Sequence, residues 1–267
     1  MKNILMLAHD DAGQEARFQA ALDITRAVEG HLTCADVAIL PALVGDYYST
    51  MGEAVLIADE RDREAANRDR LEGRLAHEDI QWSWLEMTGD IAPCITDAAG
   101  LSDLIILNRK LDSFTTPDMR GAAEEILLRS DKPLLVVPED ANGIRLNGRV
   151  IVAWDGSPQA SAALRAAVPL LKLAISVILL EIDDGSVKTP AEEAASYLSR
   201  HGIRPIIRRE TAVGQGAAAV LLKETSSRAI DYVVMGGMSH GRLIEALIGG
   251  VTHKMLSESP VPVFMAH

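Results

Sequence analysis

The sequence repeats one order of secondary structure, and this repeat limits the folds that the chain can adopt. Residues 103–107 (DLIIL) match residues 231–235 (DYVVM), and residues 132–137 (KPLLVV) match residues 261–265 (VPVFM). The matched positions lie 128 and 129 residues apart along the chain of 267 residues. Any two α/β domains share a strand-helix rhythm, but the matching Asp and Pro positions favour a true duplication.

Short β-branched runs alternate with longer amphipathic stretches along the whole chain. Strands are predicted near residues 3–8, 32–40, 80–85, 103–107, 133–137, 149–154, 175–182, 203–209, 231–235 and 261–265. Helices are predicted near residues 13–29, 53–77, 90–100, 120–130, 158–173, 190–201, 215–228 and 250–258. Apolar strand interiors in this order predict an α/β protein with two tandem Rossmann-like domains. Each domain is expected to be a five-stranded parallel sheet with helices on both faces.

The expected domains are residues 1–140 and 147–267, joined by a polar linker at 139–148 where no core pattern crosses. No stretch of the chain approaches eighteen uninterrupted apolar residues, which excludes a transmembrane helix. The first apolar run is too short for a signal peptide. Cys34 and Cys94 are too few for a disulfide framework, and both are expected to be buried packing residues. We therefore expect a cytoplasmic protein.

The net charge of −12 is spread unevenly between the halves. Residues 1–144 hold 13 basic and 27 acidic residues, a balance of −14, whereas residues 145–267 hold 13 and 11, a balance of +2. The overall charge disfavours binding to nucleic acid or to an anionic membrane. An anionic ligand is expected in the second half.

In parallel α/β sheets, ligands bind beyond the carboxyl ends of the strands, where the winding direction switches. Asp155 stands at that position after the first strand of the second half, where its carboxylate could accept from a ribose hydroxyl or an adenine amine. Gly156 permits a sharp turn, and Ser157-Pro158 suits a helix start. Alternatively, Asp155 only caps the helix.

Two glycine clusters follow the fourth strand of the second half. They are Gly236-Gly237 and Gly249-Gly250, and the second cluster opens a helix. Glycines let main-chain N–H groups converge on an anion, and the helix start adds partial positive charge. The same stretch contains the donors His240, Arg242, His253 and Lys254 against the single acid Glu245. The pattern favours a phosphate site over a plain loop.

The acid after the first strand and the glycine loop before the last helix resemble those of the universal stress protein family, and the resemblance covers nearly the whole chain as two copies. Nucleotide-binding members carry Gly, two residues, Gly, nine residues, Gly and then Ser or Thr. Gly236 and Gly249 match this pattern, whereas Ser239 and Gly250 depart from it. The resemblance implies tandem domains of the adenine nucleotide alpha hydrolase-like kind.

The resemblance also implies that the second half binds ATP or AMP, with or without Mg²⁺, and acts as a cytoplasmic stress sensor or regulator. By position in the motif, the nucleotide would be lined by Ala153, Asp155, Val213, Met235, Gly236, Ser239, Gly249, Gly250, Val251 and Thr252. His240 and Arg242 would be donors on the phosphate side. Trp154 could stack on adenine, but core packing is the preferred interpretation.

The first half keeps the scaffold and loses the glycines. One glycine, Gly121, stands where the family has three, and Asp112 and Asp118 would repel phosphate. This half is therefore predicted not to bind ATP. The acids after its first strand are typical of receiver domains, but the other residues of a receiver site are missing. Asp10 is instead expected to correspond to Asp155, with a short insertion.

Other kinds of site find little support in the sequence. No metal site is predicted around His240 and His253, because no cysteine or carboxylate has ligand spacing there. The charged run at 59–64 is interpreted as a solvated helix face. No nucleophile, base and acid occur in a recognised motif, so the chain is not expected to be an enzyme beyond slow ATP hydrolysis.

Two other functions stay open. The chain could be a nucleotide-free scaffold or interaction module that forms a homodimer. Its strands at 133–137 and 262–265 would then make contacts between halves or between chains. The substitutions at the glycine motif motivate this alternative. An enzyme acting on a small molecule beside Asp10 in the first half is the third class.

Overall fold

The chain folds around one ten-stranded sheet with helices on both faces. The structure, a computed structural model, describes residues 1–39, 50–108, 119–185, 187–212, 214, 216–227, 229–238 and 250–267, without the side chains of residues 50–54 and 56. No helix within these ranges combines the length and the apolar character needed to cross a bilayer.

The predicted strands and helices are confirmed, with ends that shift by at most three residues. The strands are β1 Asn3–Leu7, β2 His31–Ala38, β3 Gln81–Thr88, β4 Leu104–Asn108, β5 Leu134–Val137, β6 Arg149–Trp154, β7 Ser176–Asp183, β8 Ile206–Thr211, β9 Tyr232–Gly236 and β10 Val263–Ala266. The helices are α1 Gln14–Ala27, α2 Thr50–Leu75, α3 Ile91–Ala98, α4 Met119–Arg129, α5 Pro158–Leu171, α6 Ala191–Arg200, α7 Ala217–Ser227 and α8 Val251–Glu258.

The strand order is β3-β2-β1-β4-β5-β10-β9-β6-β7-β8. Strands β1 to β5 therefore have the same order as β6 to β10, and pairing within each set is parallel. The two sets meet at β5 and β10, which pair antiparallel. This arrangement confirms the expected α/β Rossmann-like fold and shows the repeat in three dimensions.

The junction between the two sets is part of the hydrophobic core. Phe264 lies opposite Leu135 in the β5–β10 ladder, and both side chains are fully buried. They belong to one core cluster that also contains Phe18 of α1 and Leu164 of α5. Strands β5 and β10, the last of each set, thus form a contact between the two halves, one of the two possibilities that the sequence left open.

The segment between the halves is not the polar linker that the sequence predicted. Ile144 and Leu146 are buried and belong to the same core cluster. The Ile144 N–H donates to the Asp23 carboxylate of α1 at 2.9 Å. The prediction that no core crosses residues 139–148 is wrong, because two apolar side chains in an otherwise polar segment are enough to anchor it.

The two cysteines have different environments. Cys34 lies in β2 and is fully buried, and burial raises the pKa of its thiol to about 12. Cys94 in α3 is only partly buried, so the expectation of burial is correct for Cys34 alone. A thiol that stays protonated inside the core is a packing residue.

We predict that Phe264→Ala lowers the free energy of unfolding by about 3–5 kcal/mol, because it leaves a cavity beside the β5–β10 ladder. Leu101→Ala is the matched control, since this side chain is 90% exposed, and it should change stability by less than about 0.5 kcal/mol. Urea unfolding followed by circular dichroism measures both. Equal, small effects of the two substitutions would contradict the buried junction.

Candidate functional site

The candidate site lies at the carboxyl ends of β6 and β9. These strands are neighbours in the sheet, and the connections through α5 and α8 leave them in opposite directions. This is the switch point of the second strand set, the position at which ligands bind in open α/β sheets. The site is built from the turn after β6 and from the start of α8.

The turn after β6 presents Asp155 to solvent. One oxygen of its carboxylate accepts from the Ser157 N–H at 2.9 Å, and the side chain is exposed. Gly156 has a φ of +72°, which favours glycine at this turn. The Ser157 hydroxyl accepts from the Ala160 N–H at 3.1 Å and caps α5. Asp155 therefore supports the turn and still faces solvent.

A loop after β7 forms one wall of this turn. The Lys188 N–H donates to the Asp155 carbonyl at 2.8 Å, and the Trp154 indole N–H donates to the Thr189 carbonyl at 2.8 Å. Trp154 is 6% exposed and belongs to the core. The preferred interpretation of Trp154 as a packing residue is confirmed.

The end of β9 packs tightly against α5 at Gly236. A Cβ at this position would lie 2.5 Å from the Ala160 nitrogen and 2.8 Å from the Gln159 carbonyl carbon. Only a residue without a side chain fits there without movement of the helix. Gly236 thus brings the start of α5 and the end of β9 together.

The two ends of the glycine-rich segment are held together by one hydrogen bond. The Met238 N–H donates to the Thr252 hydroxyl oxygen at 3.1 Å. Met238 has a φ of +44°, a left-handed conformation that is uncommon for a residue with a side chain. Since Thr252 accepts in this bond, its own O–H is left to donate to another group.

Gly250 is the N-cap of α8, and no side chain caps it. It is exposed, and a Cβ there would meet no atom within 4 Å among the described residues. The first N–H groups of a helix have no partner inside the helix, and they carry partial positive charge. The start of α8 therefore offers main-chain donors near the switch point.

The other predicted site residues divide into two groups. Ala153 is half-buried at the end of β6, Met235 is buried in β9, and Val251 is half-buried in the first turn of α8. These three join Asp155, Gly236, Gly250 and Thr252 around the switch point. The predicted residues Val213, Ser239, His240, Arg242 and Gly249 lie outside the described residues.

The first strand set has a comparable corner at the ends of β1 and β4. Its acid is Asp11, whose carboxylate accepts from the Gly13 N–H at 2.7 Å, as Asp155 accepts from Ser157. The predicted equivalence of Asp10 with Asp155 is therefore wrong by one residue. The segment between β1 and α1 is thus one residue longer, relative to the segment between β6 and α5, than the sequence predicted. Asp11, and not Asp10, takes the position of Asp155.

Large polar side chains fill this first corner. Gln14 and Pro158 open α1 and α5 144 positions apart, so Arg17 stands where the second half has Ser161. Asn108 ends β4 as Gly236 ends β9. Arg17 is fully buried, and its guanidinium donates to Asp11, Asn108 and the carbonyls of Leu7 and His9.

Beneath α2, a further group of polar side chains is buried. His9 Nδ1 lies 2.7 Å from a carboxylate oxygen of Glu64, which is 3% exposed. Burial and the charge of Glu64 raise the pKa of Asp36 in β2 to about 7. Burial also acts to raise the pKa of Glu64, but the hydrogen bond and charge of His9 outweigh it and lower that pKa.

The interpretation of residues 59–64 as a solvated helix face is wrong at Glu64. The i, i+4 pattern of charges on this helix did not show which face meets the sheet. A signal was present in Asn67, because a polar amide three residues after Glu64 extends the buried face. Asn67 is fully buried, and its amide donates to the Ala8 carbonyl at 3.0 Å.

We predict that Gly236→Ala lowers the free energy of unfolding by about 1–3 kcal/mol, because its methyl group must push α5 away from β9. Gly250→Ala is the matched control in open space. At Gly250, alanine caps the helix less well, which destabilises the fold, but it also makes the unfolded chain less flexible, which stabilises the fold. The free energy of unfolding should therefore stay within about 1 kcal/mol of the parent value. Thermal and urea unfolding measure both. Equal effects would contradict the close packing at Gly236.

Comparison with known proteins relates this chain to one family. The sequence model of the universal stress protein family matches residues 147–267. A universal stress protein of Synechocystis sp. is 26% identical over 186 residues, which is 67% of this chain and 63% of that relative. The match thus spans less than two thirds of the relative's own length.

Solved structures show the same fold over the whole chain. A universal stress protein from Archaeoglobus fulgidus superimposes with a TM-score of 0.74 at 17% identity, covering 98% of this chain and 95% of the other. A protein of unknown function from Pseudomonas aeruginosa PAO1 gives a TM-score of 0.61 at 16% identity, covering 99% and 92%. Residues 147–267 therefore match the universal stress protein family, the Synechocystis relative supports this match, and the solved structures show the shared fold over the rest of the chain.

Proposed function

We propose that this chain is a cytoplasmic stress-response protein that binds ATP or AMP, with or without Mg²⁺, at the switch point between β6 and β9. The family match at residues 147–267 and the Synechocystis relative support the stress-response role. The observation that carries the nucleotide proposal is the contrast between the two corners. Arg17 and Asn108 fill the first corner with large polar side chains, whereas the small residues Ser161 and Gly236 stand at the matching positions of the second.

The electrostatics of the second corner suit a phosphate group. The uncapped start of α8 supplies main-chain donors, and the Thr252 O–H lies at the same helix end. Lys254 in α8 adds a positive charge to a half with a balance of +2. Asp155 lies at the end of the neighbouring strand β6, where an exposed carboxylate can accept from ribose hydroxyls.

The departures from the family motif affect the phosphate end of this site. Gly250 lacks the hydroxyl that the motif places there, and a hydrogen bond from a hydroxyl to a charged group contributes about 1.5–3 kcal/mol. Space at Gly250 is open, so a serine side chain can be added without a clash among the described residues. The site is therefore proposed to bind nucleotide weakly, and a serine at position 250 is proposed to strengthen the binding.

One sequence argument for the nucleotide-free scaffold was that its last strands could offer free sheet edges, and the structure does not support it. Strands β5 and β10 pair with each other inside the chain, so neither presents a free edge. Strands β3 and β8 are the outer strands of the described sheet. A nucleotide-free interaction module would have to use these edges or the helical faces, and no feature of the described residues favours that role over nucleotide binding.

Calorimetric titration of ATP and AMP into the purified full chain tests the nucleotide proposal. We expect one site per chain, with Asp155→Ala weakening the binding by about tenfold or more through loss of ribose contacts. Asp183→Ala is the matched control, because Asp183 is an exposed acid at the end of β7 that also accepts from an N–H two residues on, that of Gly185. The Asp183→Ala variant should bind ATP and AMP with the same affinity as the parent protein.

Restoring the motif gives a second prediction. Gly250→Ser should strengthen ATP binding by about 10- to 150-fold, because it adds a hydroxyl at the start of α8. Adenosine, which has no phosphate, should bind the parent and this variant equally. Absence of heat from both proteins at millimolar ATP and AMP would overturn the proposed function.

A further inference from the structure

Two elements of the first half bring three metal-binding side chains together. Glu60 and Glu64 lie one turn apart on α2, and His9 follows β1. One atom from each of these three residues lies within 4.8 Å of the other two. His9 Nδ1 and the nearest oxygen of Glu64 are 2.7 Å apart. This group, His9, Glu60 and Glu64, is referred to below as the α2 cluster.

Three buried polar atoms at the α2 cluster have no well-oriented hydrogen-bond partner among the described residues. They are His9 Nδ1, which lies 2.7 Å from Glu64, His9 Nε2 and Asp36 Oδ1, on side chains that are 0% and 5% exposed. The Asp36 carboxylate faces Glu64 and His9 from β2. A buried polar atom without a partner costs free energy, and coordination to a cation would satisfy these atoms.

Negative charge is in excess at this place. Asp36, Glu60 and Glu64 converge on His9, and Arg63 of the same helix is paired with Glu60 and Glu64. Arg63 lies at the solvent side, 2.8 Å from Glu60 and 3.7 Å from Glu64. Buried carboxylates are stable when they are paired or when they coordinate a metal.

We propose that His9, Glu60 and Glu64 bind a divalent transition-metal ion, with Asp36 as a further oxygen donor. One imidazole and two or three carboxylates form a mixed nitrogen and oxygen set, which suits Zn²⁺, Co²⁺, Fe²⁺ or Mn²⁺ better than Mg²⁺ or Ca²⁺. Metal-to-ligand distances of about 2.0–2.2 Å require that His9 and Glu64 separate slightly. Glu60 must exchange a surface ion pair with Arg63 for the metal, a small loss.

The surroundings hold the Glu64 carboxylate in a fixed orientation. The Asn67 amide donates to it at 3.3 Å, and the Asp10 N–H donates to both of its oxygens at 3.3 Å. Asn67 is itself bonded to the Gln14 side chain and to the Ala8 carbonyl. Such outer contacts orient the ligands of metal sites. The ion would join α2 to β1 and β2.

The metal site is independent of the proposed nucleotide site, which lies in the other half of the chain. Titration of Co²⁺ into chelator-treated, tag-free full-length protein tests it, with visible absorption as the readout. We expect one Co²⁺ per chain, displaced by Zn²⁺. Glu60→Gln should weaken the binding at least tenfold, and Glu64→Gln at least as much. Glu15→Gln, an exposed acid of α1 paired with Arg74, is the matched control and should bind like the parent.

Glu60 is at the solvent side of the α2 cluster, so Glu60→Gln keeps the test decisive even where Glu64→Gln fails to fold. Circular dichroism and thermal unfolding of the metal-free variants check this. The expected parent result also includes a rise in melting temperature with Zn²⁺ that is lost in Glu60→Gln. No Co²⁺ spectrum, or equal affinity in Glu60→Gln and Glu15→Gln, would overturn the proposal and leave a buried His9–Glu64 ion pair.

Discussion

The antiparallel pairing of β5 with β10 is the interaction on which the architecture depends. It joins two parallel strand sets into one sheet and buries Phe264 against Leu135. It also brings α4 of the first half next to α8 of the second, where His253 Nδ1 lies 3.2 Å from a Glu124 carboxylate oxygen. Because α8 begins at Gly250, the proposed nucleotide site and the contact between halves share one helix.

The duplication gives two corners with one backbone plan and different side chains. Asp11 and Asp155 make the same turn, but Arg17 and Asn108 occupy the first corner where Ser161 and Gly236 stand in the second. The buried guanidinium of Arg17 donates all of its N–H groups to Asp11, Asn108 and two carbonyls, so it has none left for a phosphate. The first corner has thus kept the fold, but its polar side chains are hydrogen-bonded to one another. The α2 cluster lies beside them.

Much of the fold could be predicted from the sequence, because strand and helix periodicity depends on local residue order. The match between residues 103–107 and 231–235 gave the repeat, and Asp155 and Gly236 gave the location of the second corner. Long-range packing could not be predicted in the same way. Burial of Arg17 and Glu64 depends on which helix face meets the sheet, and an i, i+4 pattern alone does not specify that face. Ile144 lies outside the helices, and its burial depends on packing into a core cluster with residues of both halves.

The most direct test of the central claim is a crystal structure of the full chain grown with ATP. The account predicts one nucleotide per chain at the ends of β6 and β9, with its phosphates at the start of α8 and its ribose beside Asp155. It also predicts that Arg17 keeps its place in the first corner. A nucleotide bound between β1 and β4, or an empty second corner at saturating ATP, would contradict the account.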